Sequence, residues 1–102
     1  MCSIKDAERQ ETLALLYQQE KNRHKAREHF LEAASIYVLQ AELSKNEALL
    51  KKANECYAQS QGQSAPAMFT KQELAQRTLT ELQEFQPVHH HHNVLQEIKE
   101  MI

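Results

Sequence analysis

The residue types that could do chemistry are most concentrated in four consecutive histidines, His89, His90, His91 and His92. Adjacent imidazoles in a loop bind Ni²⁺, Cu²⁺ or Zn²⁺ weakly, whereas a structural zinc site usually spaces its ligands and adds cysteines. We therefore interpret the tetrad as a polar linker, with adventitious metal binding as the alternative, and expect no cofactor. Protonation of the imidazoles at about pH 6 would add positive charge to this segment.

The remaining cysteine and histidine residues do not suggest a catalytic site. Cys56 lies on the apolar stripe of its predicted helix with no histidine nearby in the sequence, which indicates a buried and inert thiol. His24 and His29 are five positions apart, so on a helix they point about 140° away from each other and cannot share a metal. The sequence has no phosphate-binding or hydrolase motif, and we expect a protein that is not an enzyme.

Positive charge is densest between the first two predicted helices, at Lys21, Arg23, Lys25 and Arg27. One interpretation of this basic patch is a solvated turn. The other is an anchor for an acidic peptide or for anionic lipid headgroups. With 12 basic and 14 acidic residues, the whole chain is too balanced for a dedicated nucleic-acid binder, so no nucleic acid is expected as a partner.

The composition predicts a single helical domain in the cytoplasm. Its 102 residues are about enough for one core, and a single Gly excludes Gly-rich phosphate loops. The longest apolar run has five residues, which is too short to span a membrane. Cys2 and Cys56 form no CxxC pair, and the charged N-terminus does not look like a leader, so a soluble, cytoplasmic protein is expected.

Apolar periodicity and capping residues predict four helices and a short fifth, at about residues 3–20, 26–43, 45–60, 71–85 and 94–102. Ser3 is the predicted N-cap of the first helix, with Asp6 placed to favour the positive helix end. Capping boxes are predicted at Ser44 with Glu47 and at Thr70 with Glu73. The predicted fold is all-α: an antiparallel three-helix bundle over residues 1–62. Residues 63–102 are predicted to form a linker and a C-terminal helical extension that packs on the bundle or on a partner.

The first two predicted helices resemble one tetratricopeptide repeat (TPR) hairpin. The match covers residues 7–40, and no second repeat follows it. The signature positions are occupied by Leu13, Ala14, Tyr17, Ala26, Phe30 and Ala33.

A second resemblance covers about residues 4–62. The segments KAREHFLEAASIY (25–37) and KKANECYAQSQ (51–61) resemble the second and third helices of the MIT domain, the microtubule-interacting and trafficking module. The resemblance implies a module that binds short helical or extended tails, such as those at the C-termini of ESCRT-III subunits. The predicted site is a groove between helices two and three, which is closed if the fourth helix fills it. Its predicted residues are Val38, Leu49, Lys52 and Cys56, supported by Lys45.

Two alternatives stay open at this point. The chain could be a homo-oligomerising structural bundle, because a small core has limited room for so many apolar residues. The residues in excess are Leu15, Leu16, Leu39, Leu95 and Ile98. The other alternative is a TPR-like adaptor subunit of a larger complex. A homodimer and peripheral membrane association are compatible with either.

Overall fold

The computed structural model describes residues 3–85. They form four α-helices, α1 (Ile4–Gln19), α2 (Arg23–Ser44), α3 (Glu47–Ser60) and α4 (Lys71–Leu82), followed by a 3-10 turn (Gln83–Phe85). No strand occurs within this part of the chain, and the predicted all-α class is confirmed. The predicted fifth helix and the histidine tetrad lie outside the described residues.

Two of the predicted helix starts are confirmed in detail. At α1 the Ser3 hydroxyl accepts the Asp6 N–H, and the Asp6 carboxylate accepts the Ser3 N–H at 2.9 Å. At α4 the same reciprocal pair joins Thr70 and Glu73. Each box satisfies backbone donors that have no partner within the helix, so these short motifs fix where the two helices begin.

The predicted capping box at Ser44 is wrong. Ser44 is the last residue of α2, and its hydroxyl donates to the Gln40 carbonyl at 2.7 Å. Asn46 caps α3 instead, because its side chain accepts the Ala48 N–H at 3.0 Å. Lys45 makes the intervening turn possible by adopting a left-handed conformation with φ 57. A serine hydroxyl inside an unbroken helix bonds back to the preceding turn and so cannot cap the next helix.

The second helix also begins earlier than predicted. Asn22 is its N-cap and accepts the Lys25 N–H at 3.2 Å, so residues 23–25 form the first turn of α2 rather than a loop. At the other end of the chain, α4 stops at Leu82, three residues before the predicted end, and continues as the 3-10 turn. Three of the four basic-patch residues, Arg23, Lys25 and Arg27, therefore lie in the first turns of α2.

The central element is α2, which packs against α1, α3 and α4. Arg27 near its start contacts Glu81 near the end of α4, while Glu42 near its end contacts Lys71 at the start of α4. α4 is therefore antiparallel to α2. Since α1 and α3 join α2 through tight turns, all three outer helices run in the same direction around it.

The core forms where alanines allow the helices to approach closely. Ala7, Ala33, Ala34, Ala53 and Ala75 have no exposed surface. Larger side chains fill the space between them. The main ones are Leu31, Tyr37 and Val38 of α2, Tyr57 of α3, and Leu74 and Leu82 of α4. Because α4 contributes to this same cluster, residues 71–82 belong to one core with the three-helix bundle.

Asn54, which the sequence analysis did not single out, attaches the α3–α4 linker to this core. Its side chain accepts the Phe69 N–H at 2.8 Å and donates to the Phe69 carbonyl at 3.1 Å. The residue is 1% exposed. Buried polar groups persist only when they are hydrogen-bonded, so this pairing holds the linker in place immediately before α4 begins.

No helix within residues 3–85 is long and apolar enough to cross a membrane.

We expect Asn54→Ala to lower the free energy of unfolding by about 1–3 kcal/mol, because it leaves the Phe69 backbone groups without partners. Urea denaturation followed by circular dichroism measures the change. The control is Gln59→Ala on the exposed face of the same helix, which should change stability by less than about 0.5 kcal/mol. Equal effects of the two substitutions would contradict the role given to Asn54.

Glu32 should make stability depend on pH. The residue is 8% exposed, and burial, reinforced by the charge of Glu28, raises its pKa from 4.5 to about 7. A carboxyl whose pKa is raised by folding favours the folded state when protonated, so stability should fall as pH rises from about 4.5 to about 7. Above that window Glu32→Gln should be more stable than the wild type by about 1–3 kcal/mol, and below it the difference should vanish.

Thermal melts at several pH values test this expectation. Glu8→Gln, at an exposed position of α1, is the matched control and should follow the wild type throughout. A Glu32→Gln profile parallel to that of the wild type would show that this carboxyl does not titrate as inferred.

Candidate functional site

The predicted groove between α2 and α3 is not an open surface. Val38 has no exposed surface and Cys56 has 1%, so neither can reach a partner while the core is closed. Leu49 is only partly buried and packs against the same core. Lys45 is exposed and pairs with Glu42 at 3.2 Å. Sequence periodicity placed Leu49 and Cys56 on the apolar side of α3 but could not show what covers that side.

The chain's own residues cover it. The linker places Phe69 edge-on against Tyr57, with ring centroids 5.8 Å apart, and Arg77 lies over the Phe69 ring. α4 then adds Leu74 and Ala75 to the cluster that contains Val38. The closed form of the groove, raised in the sequence analysis as an alternative, is therefore the arrangement that the structure contains.

Lys52 joins helices rather than pointing freely at solvent. Its ammonium donates to Glu11 of α1 at 3.3 Å and lies over the ring of Tyr37, whose hydroxyl donates to the same carboxylate. Burial lowers the pKa of Lys52, but the charge and hydrogen bond of Glu11 outweigh it and raise that pKa overall. Burial, with a smaller contribution from Glu11, raises the pKa of the neighbouring Cys56 thiol to about 12. A thiol with this pKa stays protonated and is a poor nucleophile.

An accessible cleft lies instead at one end of the bundle, where the α1–α2 turn faces the end of α3. Its volume is about 550 Å³, and we call it the end cleft. It is lined by Gln18, Lys21, Arg23, Ala26, Arg27, Phe30, Gln59, Ser60, Gln61 and Gly62. Three of the four basic-patch residues thus share one cleft. The fourth, Lys25, is not among the lining residues and approaches Glu28 at 3.7 Å.

Two helix ends of the same kind form opposite walls of the end cleft. At the end of α1, Lys21 has φ 63 and the Asn22 N–H reaches the Tyr17 carbonyl at 2.9 Å. At the end of α3, Gly62 has φ 73 and the Gln63 N–H reaches the Ala58 carbonyl at 2.9 Å. Both are Schellman motifs, which turn the chain sharply and expose the residue at the left-handed position. Glycine suits that position, whereas the lysine in α1 adopts it at an energetic cost.

The cations of the end cleft differ in how they are compensated. Arg27 donates to Glu81 at 2.9 Å and to Glu84 at 3.2 Å. Burial lowers the pKa of Arg27, but these two hydrogen bonds outweigh it and raise that pKa overall. Lys21 and Arg23 are exposed and form no ion pair with any residue from 3 to 85. They lie beside the positive end of the α2 dipole but also beside the negative ends of α1 and α3, so it is the two side-chain charges that suit the end cleft to a negatively charged ligand.

The structure supports no metal centre among the residues that it describes. No group of three or more His, Cys, Asp or Glu side chains in residues 3–85 is placed to hold an ion. The tetrad at 89–92 lies outside this range.

Sequence reasoning found the cations of the end cleft but missed its other wall. Residues 59–62 are far from Lys21 along the chain, and their polar side chains match no motif. The one available signal was Gly62, which marked the end of a helix without showing what that end would face.

Comparison with known proteins finds no matching family model, no matching curated protein and no matching solved structure. The resemblances to the MIT domain and to a TPR hairpin therefore stay predictions.

We expect Lys21→Gly to raise the free energy of unfolding by about 0.5–1 kcal/mol, because glycine adopts the left-handed conformation without a Cβ clash. Chemical denaturation measures the gain. Lys25→Gly is the matched control, since it makes the same substitution in the first turn of α2, where glycine should destabilise the helix by up to about 1 kcal/mol. A loss of stability in both variants would contradict the strain inferred at Lys21.

Proposed function

We propose that this chain is a non-enzymatic protein-interaction module that binds an acidic peptide segment in the end cleft. The observation that carries the proposal is a pair of cations, Lys21 and Arg23, that form no ion pair within residues 3–85 and lie in an open cleft of about 550 Å³. Carboxylates pair readily with lysine and bidentately with arginine, so an acidic side chain is the natural complement of this surface.

The remaining lining residues suit a peptide main chain. Gln18 and Gln59 are exposed and stand on opposite sides of the end cleft. A glutamine amide both donates and accepts, as the N–H and C=O groups of an extended peptide require. Ala26 and Phe30 also line the end cleft, but both are buried and present little of their own surface to a ligand. We therefore expect binding to be driven mainly by charge and to weaken as salt is added.

The resemblance to the MIT domain supports one class of partner. It suggests ESCRT-III-like tails as the first peptides to test and would place the module in cytoplasmic membrane traffic. The proposed position of such a tail is the end cleft rather than the groove between α2 and α3, because the linker and α4 occupy that groove.

A homo-oligomer is the second candidate, and two exposed side chains favour it. Leu15 and Leu16 are 43% and 51% exposed on the outer face of α1. Leu39, also counted as excess in the sequence, is buried and needs no partner. Leu95 and Ile98 lie outside the described residues. A dimeric mass by light scattering would support this candidate, and a monomeric mass would remove it.

The peptide-binding proposal predicts that Lys21→Glu combined with Arg23→Glu weakens binding of an acidic peptide by at least about tenfold, since two attractions become repulsions. The probe is a short fluorescein-labelled peptide in which Glu alternates with Leu, and fluorescence anisotropy gives the dissociation constant. The same peptide with Gln in place of Glu should not bind measurably.

The matched control is Lys5→Glu combined with Lys51→Glu. It changes the net charge equally at two exposed positions that do not line the end cleft. Binding that falls to the same extent in both double variants would reflect net charge alone and would contradict a local site. Failure of the acidic peptide to bind the wild-type chain would overturn the proposal.

A further inference from the structure

The end of α4 places an acidic and aromatic segment against the basic rim of the end cleft. Glu81 and Glu84 both bind Arg27, at 2.9 and 3.2 Å. The Phe85 ring lies 5.3 Å from the guanidinium and 4.7 Å from the ring of His24. One arginine is thus held by two carboxylates and a phenyl ring, a combination of charge pairing and cation–π contact.

The contacts of this segment differ in strength along its length. Glu81 is largely buried and also accepts hydrogen bonds from the Tyr57 hydroxyl and from Gln61 at 2.8 Å. Glu84, by contrast, is 58% exposed, and its ion-pair partner within residues 3–85 is Arg27 alone. Exposed ion pairs stabilise a structure only slightly, so the contact of Glu84 can exchange while Glu81 keeps α4 in place. Phe85 is partly buried and also packs against the main core, so its ring gives up that contact when it leaves the rim.

We propose that residues 84–85 act as an internal competitor and that the partner peptide carries the same chemistry, an acidic residue followed by an aromatic one. In the bound state the partner's carboxylate would replace Glu84 on Arg27, and its ring would replace Phe85 against His24. This inference rests on the proposed function and specifies the partner of the same site. The contact of residues 84–85 with Arg27 and His24 supports this inference, because it shows which kinds of side chain the rim binds.

The geometry also connects the rim to the rest of the end cleft. Arg27 lines the end cleft as well as binding α4, and Gln61 joins the cleft wall to Glu81. A peptide whose acidic residues reach Lys21 and Arg23 would therefore pass Arg27 along the same surface. Displacing Glu84 would free one side of Arg27, which stays paired with Glu81, close to Lys21 and Arg23, for which residues 3–85 supply no ion pair.

The test uses the full chain with Glu84→Gln and Phe85→Ala together. We call this double variant the released variant, and it keeps Glu81 and its three partners. The probe is a fluorescein-labelled peptide with the sequence of residues 78–85, TLTELQEF. The released variant should bind it roughly three- to tenfold more tightly than the wild type, because the fraction of molecules with a free rim increases. Gln83→Ala in the same turn is the control and should leave affinity unchanged.

Two further measurements can each contradict the proposal. Replacing Phe by Ala in the peptide should weaken its binding to the released variant, and Arg27→Gln in the chain should remove the difference between peptides. Circular dichroism confirms that each variant is folded. If the released variant itself fails to fold, the two peptides are compared on the wild-type chain, where equal affinities would overturn the proposal.

The outcomes separate this inference from the proposed function. Equal binding by the wild type and the released variant, or no effect of the aromatic residue, overturns the internal competitor but leaves acidic-peptide binding intact. If no acidic peptide binds the wild type or the released variant, both the internal competitor and the proposed function are overturned.

Discussion

The structure depends on the burial of one helix on all its faces. Every residue of α2 from 30 to 39 is buried, including Glu32 and Ser35, and the helix packs against each of the other three. A helix buried in this way needs neighbours close on several sides, and alanines at the contact points allow that approach. α4 is therefore part of the bundle, because without Leu74, Ala75 and Leu82 one face of α2 would be open to water.

This constraint explains why the expected peptide groove is closed. A three-helix bundle leaves grooves between its helices, and one of them could receive a partner helix. Here the chain supplies that helix itself. Asn54 binds the backbone at Phe69 and so brings the linker against α3, after which α4 lies antiparallel to α2. With that groove filled, the open end cleft lies at the end of the bundle, where two sharp turns face each other.

The basic residues at that end include one that is held by α4 and two that a ligand can reach. Arg27 is held by the end of α4, whereas Lys21 and Arg23 remain uncompensated among the described residues. Lys21 also occupies a left-handed position that favours glycine. A residue that costs stability and carries an unpaired charge in an open cleft is a candidate for function, since strained positions tend to occur at functional sites. The contact between Arg27 and Glu84 is exposed enough to exchange, which links the fold to the proposed recognition.

The sequence by itself determined the helical class, most helix boundaries, the N-cap at Ser3 and one of the two predicted capping boxes. These features arise from interactions within three or four residues, such as Ser3 with Asp6 and Thr70 with Glu73, so local patterns are sufficient. It also identified the basic patch. It failed at Ser44, because the position of the cap depends on where α2 ends, and α2 includes Ser44, so that Asn46 caps α3.

Only the tertiary structure decided what each helix faces. Periodicity predicts an apolar stripe along a helix, but in α2 the three neighbouring helices bury every residue from 30 to 39. The burial of Val38 and Cys56, the role of Asn54 and the meeting of Lys21 with residues 59–62 all depend on contacts between distant parts of the chain. Such contacts leave no short-range pattern, because the partner of a side chain is set by helix packing and not by its neighbours in sequence.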